Sequence, residues 1–211
     1  MKKKLYLLAF LGNVIIALGV SFLNLSSFGL DPYTSMVKGL SALSYIPLGT
    51  VQLCLNILVY LPVLYFNRKA IGFGSLVNLF VLGYMNQGFI TLWSVLGLPV
   101  TLPLRILYLI IGLLLVCFGV ALYMDTNLGV APYDGVAPLI DLKTNHRLPF
   151  QYACILTDAI CVGTGFTCGY LAQVTTSGAA TLFVMFGTGP FVHFFSQKVT
   201  LPLVDSINKA V

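Results

Sequence analysis

Two apolar runs of about twenty residues, 5–25 and 104–124, close on the same break, Gly29-Leu-Asp-Pro-Tyr33 after the first and Gly129-Val-Ala-Pro-Tyr133 after the second, and each run has the length a membrane-crossing helix needs. The runs also match inside, with Gly12, Gly19 and Val20 in the first recurring as Gly112, Gly119 and Val120 in the second. At each break a helix is expected to end near the glycine, which tolerates left-handed geometry past the last turn. The next helix is expected to begin at the proline, which suits a first helical position. Apolar composition alone does not place the same break at the same distance from two paired glycines, so the chain reads as two copies of one unit.

The rest of the chain gives no means of facing water. Hydrophobic residues make up 58% and charged residues 8%, where a soluble domain carries about 25% charged residues. This is an all-α integral membrane protein whose partner is the lipid bilayer, and its 211 residues accommodate roughly six spans of about 20 residues with short connections. The net charge of +5 does not point to nucleic acid, because the basic residues sort by membrane side. All six acidic residues are aspartates, which excludes any mechanism that needs a glutamate. Cys54, Cys117, Cys154, Cys161 and Cys168 all fall in apolar runs, so no disulfide framework is implied. With no Cys-x-x-Cys and no His-x-x-x-His, neither a metal nor another cofactor is expected. Lys2-Lys3-Lys4 before an apolar run resembles a signal peptide, but the run is long and has no Ala-x-Ala site, so it is read as a permanent span.

The units are 1–96 and 104–211, joined by a linker at 97–103. In the first, a span over about 5–25 leads to a short amphipathic helix over 31–45, capped by Asp31 and opened by Pro32, and interfacial or re-entrant in position. A second span opens at Pro47 and ends at Asn67-Arg68-Lys69, and a third runs from about Ile71 to Val95. The second unit repeats this with a span over 104–124, a short helix from Ala131 to about Asp141, a span opening at Pro149 and a last one from about Thr175 to Phe195. Pro47 pairs with Pro149 and Asn56 with Asp158, while Gly74 and Gly83 pair with Gly178 and Gly187.

An N-terminus in the cytoplasm puts nine of the eleven lysines and arginines on that side and leaves Lys38 and Arg105 outside, a positive-inside bias. Both termini are then cytoplasmic. Three spans per unit is an odd number, so the second copy inserts upside down and the six helices form two inverted three-helix repeats, an arrangement found in many secondary transporters.

Asp158 is the most informative side chain. A carboxylate in mid-span is costly unless it is neutralised or paired, and it normally faces the bundle interior with a function. Its repeat mate is Asn56, and one turn earlier Gln52 pairs with Cys154. Two facing polar spots near the pseudo-axis are where a midplane substrate site would form. Cys154, Asp158, Cys161, Gly165 and Cys168 share one helix face, but cysteines seven apart lie about 10 Å apart along the axis, so the face reads as close helix packing. Gly12, Gly19, Gly112 and Gly119 read as packing seams where the halves meet. The Pro-Tyr breaks admit two uses. Their helix N-termini can receive an anionic group, with Tyr33 and Tyr133 offering hydroxyls or ring faces; alternatively Asp31 and Asp134 cap those ends and the tyrosines anchor at the interface. Asn78, Asn86, Gln87, Thr157 and Thr181 are placed to line a path or to bond between helices. His193 is read as interfacial, and Arg105 as a snorkelling residue with a weak pull on anions. The substrate-binding set is thus Asp158, Asn56, Gln52, Tyr33, Tyr133, Asn78 and Thr157.

Gly-hydrophobic-x-Pro-Tyr, then Pro47-Leu-Gly-Thr50, then a basic turn and Ile71-Gly-Phe-Gly-Ser75-x-x-Asn78 with Gly83 resembles the YczE/YyaS/YitT group of bacterial membrane proteins. The resemblance is clearest over 10–90, with a fainter echo over 110–195, and it implies a multi-pass protein of the bacterial plasma membrane. It brings no substrate or catalytic residue with it. In the second half Pro149-Phe-Gln-Tyr152 and Thr175-Thr-Ser-Gly178 depart from the pattern.

Two functions fit these residues. One is a small transporter of a small-molecule solute, alternating between inward- and outward-open states, with Asp158 as a proton or cation partner. The other is a non-transporting membrane scaffold or the substrate-binding subunit of a larger complex. An enzyme is not expected, since no nucleophile–base or metal constellation is present. A homodimer through a glycine seam is compatible with either function.

Overall fold

Helix α1 (Lys2–Ser26) carries the first apolar run and α6 (Leu102–Asp125) the second, and they form the most extensive helix pair of the fold. The protein is described here by a computed structural model that covers residues 2–66, 72–145, 147–148 and 150–209. The pair is antiparallel, because Gly12 lies beside Gly119 and Gly19 beside Gly112. A methyl group on Gly12 would sit 2.9 Å from the Gly119 carbonyl oxygen, and one on Gly119 would sit 2.8 Å from that of Gly12. Lipid tails are as apolar as the helices, so such backbone-to-backbone van der Waals packing is what holds spans together. The glycine seam expected from the sequence is therefore the central joint of the bundle.

Each of the two helices ends in the same way. Ser27 (φ 54°) and Asn127 (φ 52°) take the left-handed turn that the sequence had suggested for the glycines two residues later. Gly29 (φ 125°) and Gly129 (φ 110°) are still required, because their backbone lies where a side chain is strained. They are also crowded, since a methyl on Gly29 would sit 2.7 Å from the Gly178 nitrogen and one on Gly129 2.5 Å from the Gly72 nitrogen. Each connector thus lies on the start of a helix in the other half of the chain. The Ala180 amide donates to the Phe28 carbonyl (3.2 Å) and the Gly74 amide to the Leu128 carbonyl (2.8 Å). The structural partner of Gly178 is therefore Gly72 and not Gly74. Gly72 precedes Ser75, whose Oγ accepts from the Gly72 amide (3.3 Å), as Thr181 Oγ1 accepts from that of Gly178 (3.0 Å). Arg105 does more than snorkel, since its Nε donates to the Ser26 carbonyl (2.8 Å) and its Nη2 to that of Ser27 (3.1 Å), tying down the end of α1.

After the first connector come α2 (Pro32–Ser44) and α3 (Leu48–Phe66). Next, α4 (Phe73–Val77), a π turn (Asn78–Leu82) and α5 (Gly83–Leu96) form one continuous rod. After the second connector come α7 (Val136–Lys143), α8 (Phe150–Leu171) and α9 (Ala179–Phe195), and a second π turn (Ser196–Thr200) leads into α10 (Leu201–Lys209). The expected helix ends at Asn67, Arg68 and Lys69, Ile71 and Pro149 lie outside the described residues. The second short helix starts at Val136 rather than Ala131, because residues 132–135 form a hydrogen-bonded turn, closed by the Gly135 amide on the Ala131 carbonyl (3.1 Å). The last long helix starts at Ala179 rather than Thr175, because 174–178 are non-helical and bind the first connector, the Leu30 amide donating to the Thr176 carbonyl (3.2 Å).

Five helices are long and apolar enough to cross a membrane: Lys3–Ser26, Leu48–Phe66, Phe73–Leu96, Leu102–Asp125 and Tyr152–Leu171. The sixth expected span, α9, has 17 residues before its π turn. No strand occurs among the described residues. The protein is an all-helical membrane protein.

Candidate functional site: a polar cavity between the halves

Helix α2 starts as the sequence predicts. Asp31 caps it, accepting from the Thr34 amide through Oδ1 (3.0 Å), with Pro32 in the first turn. The helix lies along α8, which leaves Tyr33, Thr34, Ser35 and Val37 buried. A methyl on Gly39 would sit 2.7 Å from the Gly165 carbonyl, and Cys161 packs with Tyr33, Val37 and Val51. The small-residue face of α8 is thus a packing face.

The second Pro-Tyr break is built differently. Asp134 caps no helix, and its Oδ2 instead accepts from the Tyr123 hydroxyl, back on α6. The turn at 132–135 places this carboxylate against α6. The tyrosines of the two breaks turn toward each other. Tyr33 and Tyr133 stack on each other, ring centroids 4.8 Å apart and planes 28° apart. The Tyr33 hydroxyl donates to Asn56 Oδ1 (2.5 Å) and that of Tyr133 to Asp158 Oδ1. The repeat mates Asn56 and Asp158 are therefore held in the same way by repeat-mate tyrosines.

From Asn56 a buried chain of amides runs inward. Asn56 Nδ2 approaches the Asn78 carbonyl (3.5 Å), Asn78 Nδ2 donates to Asn13 Oδ1 (3.1 Å), and Asn13 Nδ2 donates to the Ala9 carbonyl (2.8 Å). Asn78 opens the first π turn, a local widening often found at functional sites.

Beside the tyrosine pair is a cavity of about 1200 Å³. Asp31, Asp134 and Asp158 all reach it, as do Gln52, Tyr33 and Tyr133. Asn78 and Thr157 also border it, so six of the seven site residues expected from the sequence line one space, and the seventh, Asn56, accepts from the hydroxyl of the wall residue Tyr33. The Thr157 hydroxyl is spent on its own helix, donating to the Ala153 (3.1 Å) and Cys154 (2.9 Å) carbonyls. His193, read from sequence as interfacial, borders the cavity, as do Asp125 and Ser196. Tyr123 and Asn13 were not singled out by the sequence reading. For Asn13 the signal was present, an amide inside an otherwise apolar run; for Tyr123 there was none.

The cavity is chemically one-sided. Burial pushes the Asp31 and Asp134 carboxyls above the ordinary carboxylate range, partly opposed by the hydrogen bonds from Thr34 and Tyr123. Asp31 keeps some surface on the cavity, but its Oδ2 is enclosed and has no partner, and neither have Gln52 Oε1 and Asn86 Oδ1. Burial likewise pushes both tyrosine hydroxyls up, so they stay protonated and keep donating.

No solved structure matches the chain. An uncharacterized protein of Haemophilus influenzae is 30% identical over 125 residues, which is 58% of this chain and 54% of that one. The chain thus spans about half the length of the curated relative it matches. The sequence pattern of a family of unknown function, DUF6198, covers residues 2–197, nearly the whole bundle and every cavity side chain described above. The chain belongs to the DUF6198 family.

Proposed function

We propose that the protein is a small secondary-type transporter of a bacterial plasma membrane, related to the YczE/YyaS/YitT group. It has six spans in two inverted three-span units, cytoplasmic termini, and a solute site near the bilayer midplane between the units. The observation that carries this reading is the cavity of about 1200 Å³, bordered by residues of both halves, with Asp158 and Tyr133 in its wall. Pockets for small molecules are of this order of size, and carboxylates at membrane depth mark solute or ion paths.

Paired contacts support the inversion. The α1–α6 seam is antiparallel and reciprocal, and each connector lies on a helix start of the other half. A broken symmetry supports alternation. Gly39 meets Gly165 where α2 closes on α8. The matched positions in the other half are Leu139 and Val63, whose side chains pack with Tyr60 and Leu79 and hold α7 off α3. The cavity extends toward Asp125, His193 and Ser196, the side that the distribution of lysine and arginine assigns to the cytoplasm. The arrangement is then inward-facing, and its counterpart would close α7 on α3 and part α2 from α8.

The test is flux in proteoliposomes, with radiolabelled amines, carboxylates and neutral polyols offered in turn. The wild-type protein is expected to move one class. Asp158→Asn, whose amide oxygen can still accept from Tyr133, is expected to fold normally and abolish that flux. Full flux in Asp158→Asn, or a copurifying partner with no flux of any class, would favour a non-transporting scaffold or binding subunit.

A further inference from the structure

The tyrosine hydroxyls around this cavity are already committed as donors. The hydroxyl protons of Tyr33, Tyr123 and Tyr133 point to Asn56, Asp134 and Asp158. Asn78 Nδ2 is directed at Asn13, and the Asp31 cap takes up the Thr34 amide. What remains is acceptor-rich. Gln52 and Asn86 are 4% and 2% exposed, both border the cavity, and the amide oxygen of each lacks a partner. Asp31 Oδ2 also lacks one. A buried acceptor without a donor is costly, and each of these enclosed oxygens belongs to a side chain on the cavity wall, so a turn of that side chain toward the space would let a ligand that brings donors satisfy it.

The charge balance has the same sign. Four aspartates, Asp31, Asp125, Asp134 and Asp158, border the cavity, and no lysine or arginine is among the described residues that line it. No three His, Cys or Asp side chains among the described residues come close enough to share one metal ion. The carboxylates are spread around a wide space, a layout suited to a cation with several atoms and several N–H groups.

We infer that the solute is a small organic cation carrying N–H donors, a protonated amine or a guanidinium, seated among Asp31, Asp134 and Asp158 with Gln52 and Asn86 as amide acceptors. This rests on reading the cavity as a solute site, and it adds the class of solute.

The experiment is thermal unfolding of the purified full chain in detergent, at near-neutral pH and matched ionic strength. The probes are n-butylammonium and butylguanidinium, with n-butanol and butyrate as neutral and anionic counterparts of similar size. Both cations are expected to raise the melting temperature in a saturable way, and the two counterparts are expected to have no effect. Asp31→Asn keeps a good helix cap, and Gln52→Leu leaves α2 untouched. Either is expected to weaken the apparent affinity by about tenfold or more, the scale of one charge-assisted hydrogen bond. Stabilisation by butanol or butyrate equal to that by the cations, equal response of wild type and both variants, or no response to either cation would each overturn the inference. Flux of the same probes separates it from the transporter reading. Cations that bind without crossing leave this inference standing and sink transport, whereas flux of an anion that Asp158→Asn blocks does the reverse.

Discussion

Tyr33 and Tyr133 stack at 4.8 Å, and their hydroxyls diverge to Asn56 and Asp158, so one aromatic pair holds the polar side chain of each half. Removing either hydroxyl while keeping the ring separates stacking from hydrogen bonding. Tyr133→Phe leaves Asp158 Oδ1 without this donor and Tyr33→Phe does the same to Asn56 Oδ1. Each is expected to lower stability by about 1–3 kcal/mol, the cost of orphaning a buried acceptor. Denaturation in mild detergent measures both, and if binding depends on the Asp158 carboxylate, only Tyr133→Phe should also change solute affinity.

The glycine seam predicts a sharp contrast between similar substitutions. Gly19→Ala puts a methyl 2.8 Å from the Val116 nitrogen and 2.9 Å from the Gly112 carbonyl, both backbone atoms that cannot swing away. Overpacking of this kind costs about 1–3 kcal/mol. Gly163→Ala, on α8, meets nothing within 4 Å, and should be neutral or stabilising by up to about 1 kcal/mol. Melting temperatures of the two variants in the same detergent make the comparison.

Leu139 and Val63 occupy the positions that Gly39 and Gly165 hold in the other half. In the transporter reading, Leu139→Gly with Val63→Gly favours closure of α7 on α3. Cys154, half-buried in the cavity wall, reports on it. In a chain whose other four cysteines are serine, maleimide labelling of Cys154 from the cytoplasmic side is expected to slow by about tenfold, equivalent to a shift of about 1.4 kcal/mol in a two-state balance. Unchanged labelling would detach these residues from any gate.

Stability should fall as pH rises. Burial raises the Asp31 and Asp134 carboxyls above the value of 3.8 that applies in an unfolded chain. Between the unfolded and folded values the native state holds protons that the unfolded chain has released. The stabilisation is then complete below the unfolded value and is lost as pH climbs through the folded one, with a slope of up to about 1.4 kcal/mol per pH unit for each carboxyl. Melting temperatures across mildly acidic to neutral pH should decline, and Asp31→Asn should flatten the decline.

The sequence by itself determined the membrane class, the two breaks, the Asp31–Pro32 helix start and the glycines that let α1 and α6 touch. These depend on the sum of apolar residues over about twenty positions or on residues a few places apart, and neither needs the rest of the fold. Asp158, Asn56, Tyr33 and Tyr133 were legible as a set for a related reason, since repeat mates mark a shared axis. Only the tertiary structure decided which groups bond. Asp134 reaches Tyr123 instead of capping a helix, Gly178 is matched by Gly72 rather than Gly74, and Asn13 joins a chain of amides that begins at Tyr33. A hydrogen bond needs its partner within about 3 Å, and a drift of two residues in one connector turns a helix by more than half a revolution, so pairings of this kind are fixed by how whole helices pack.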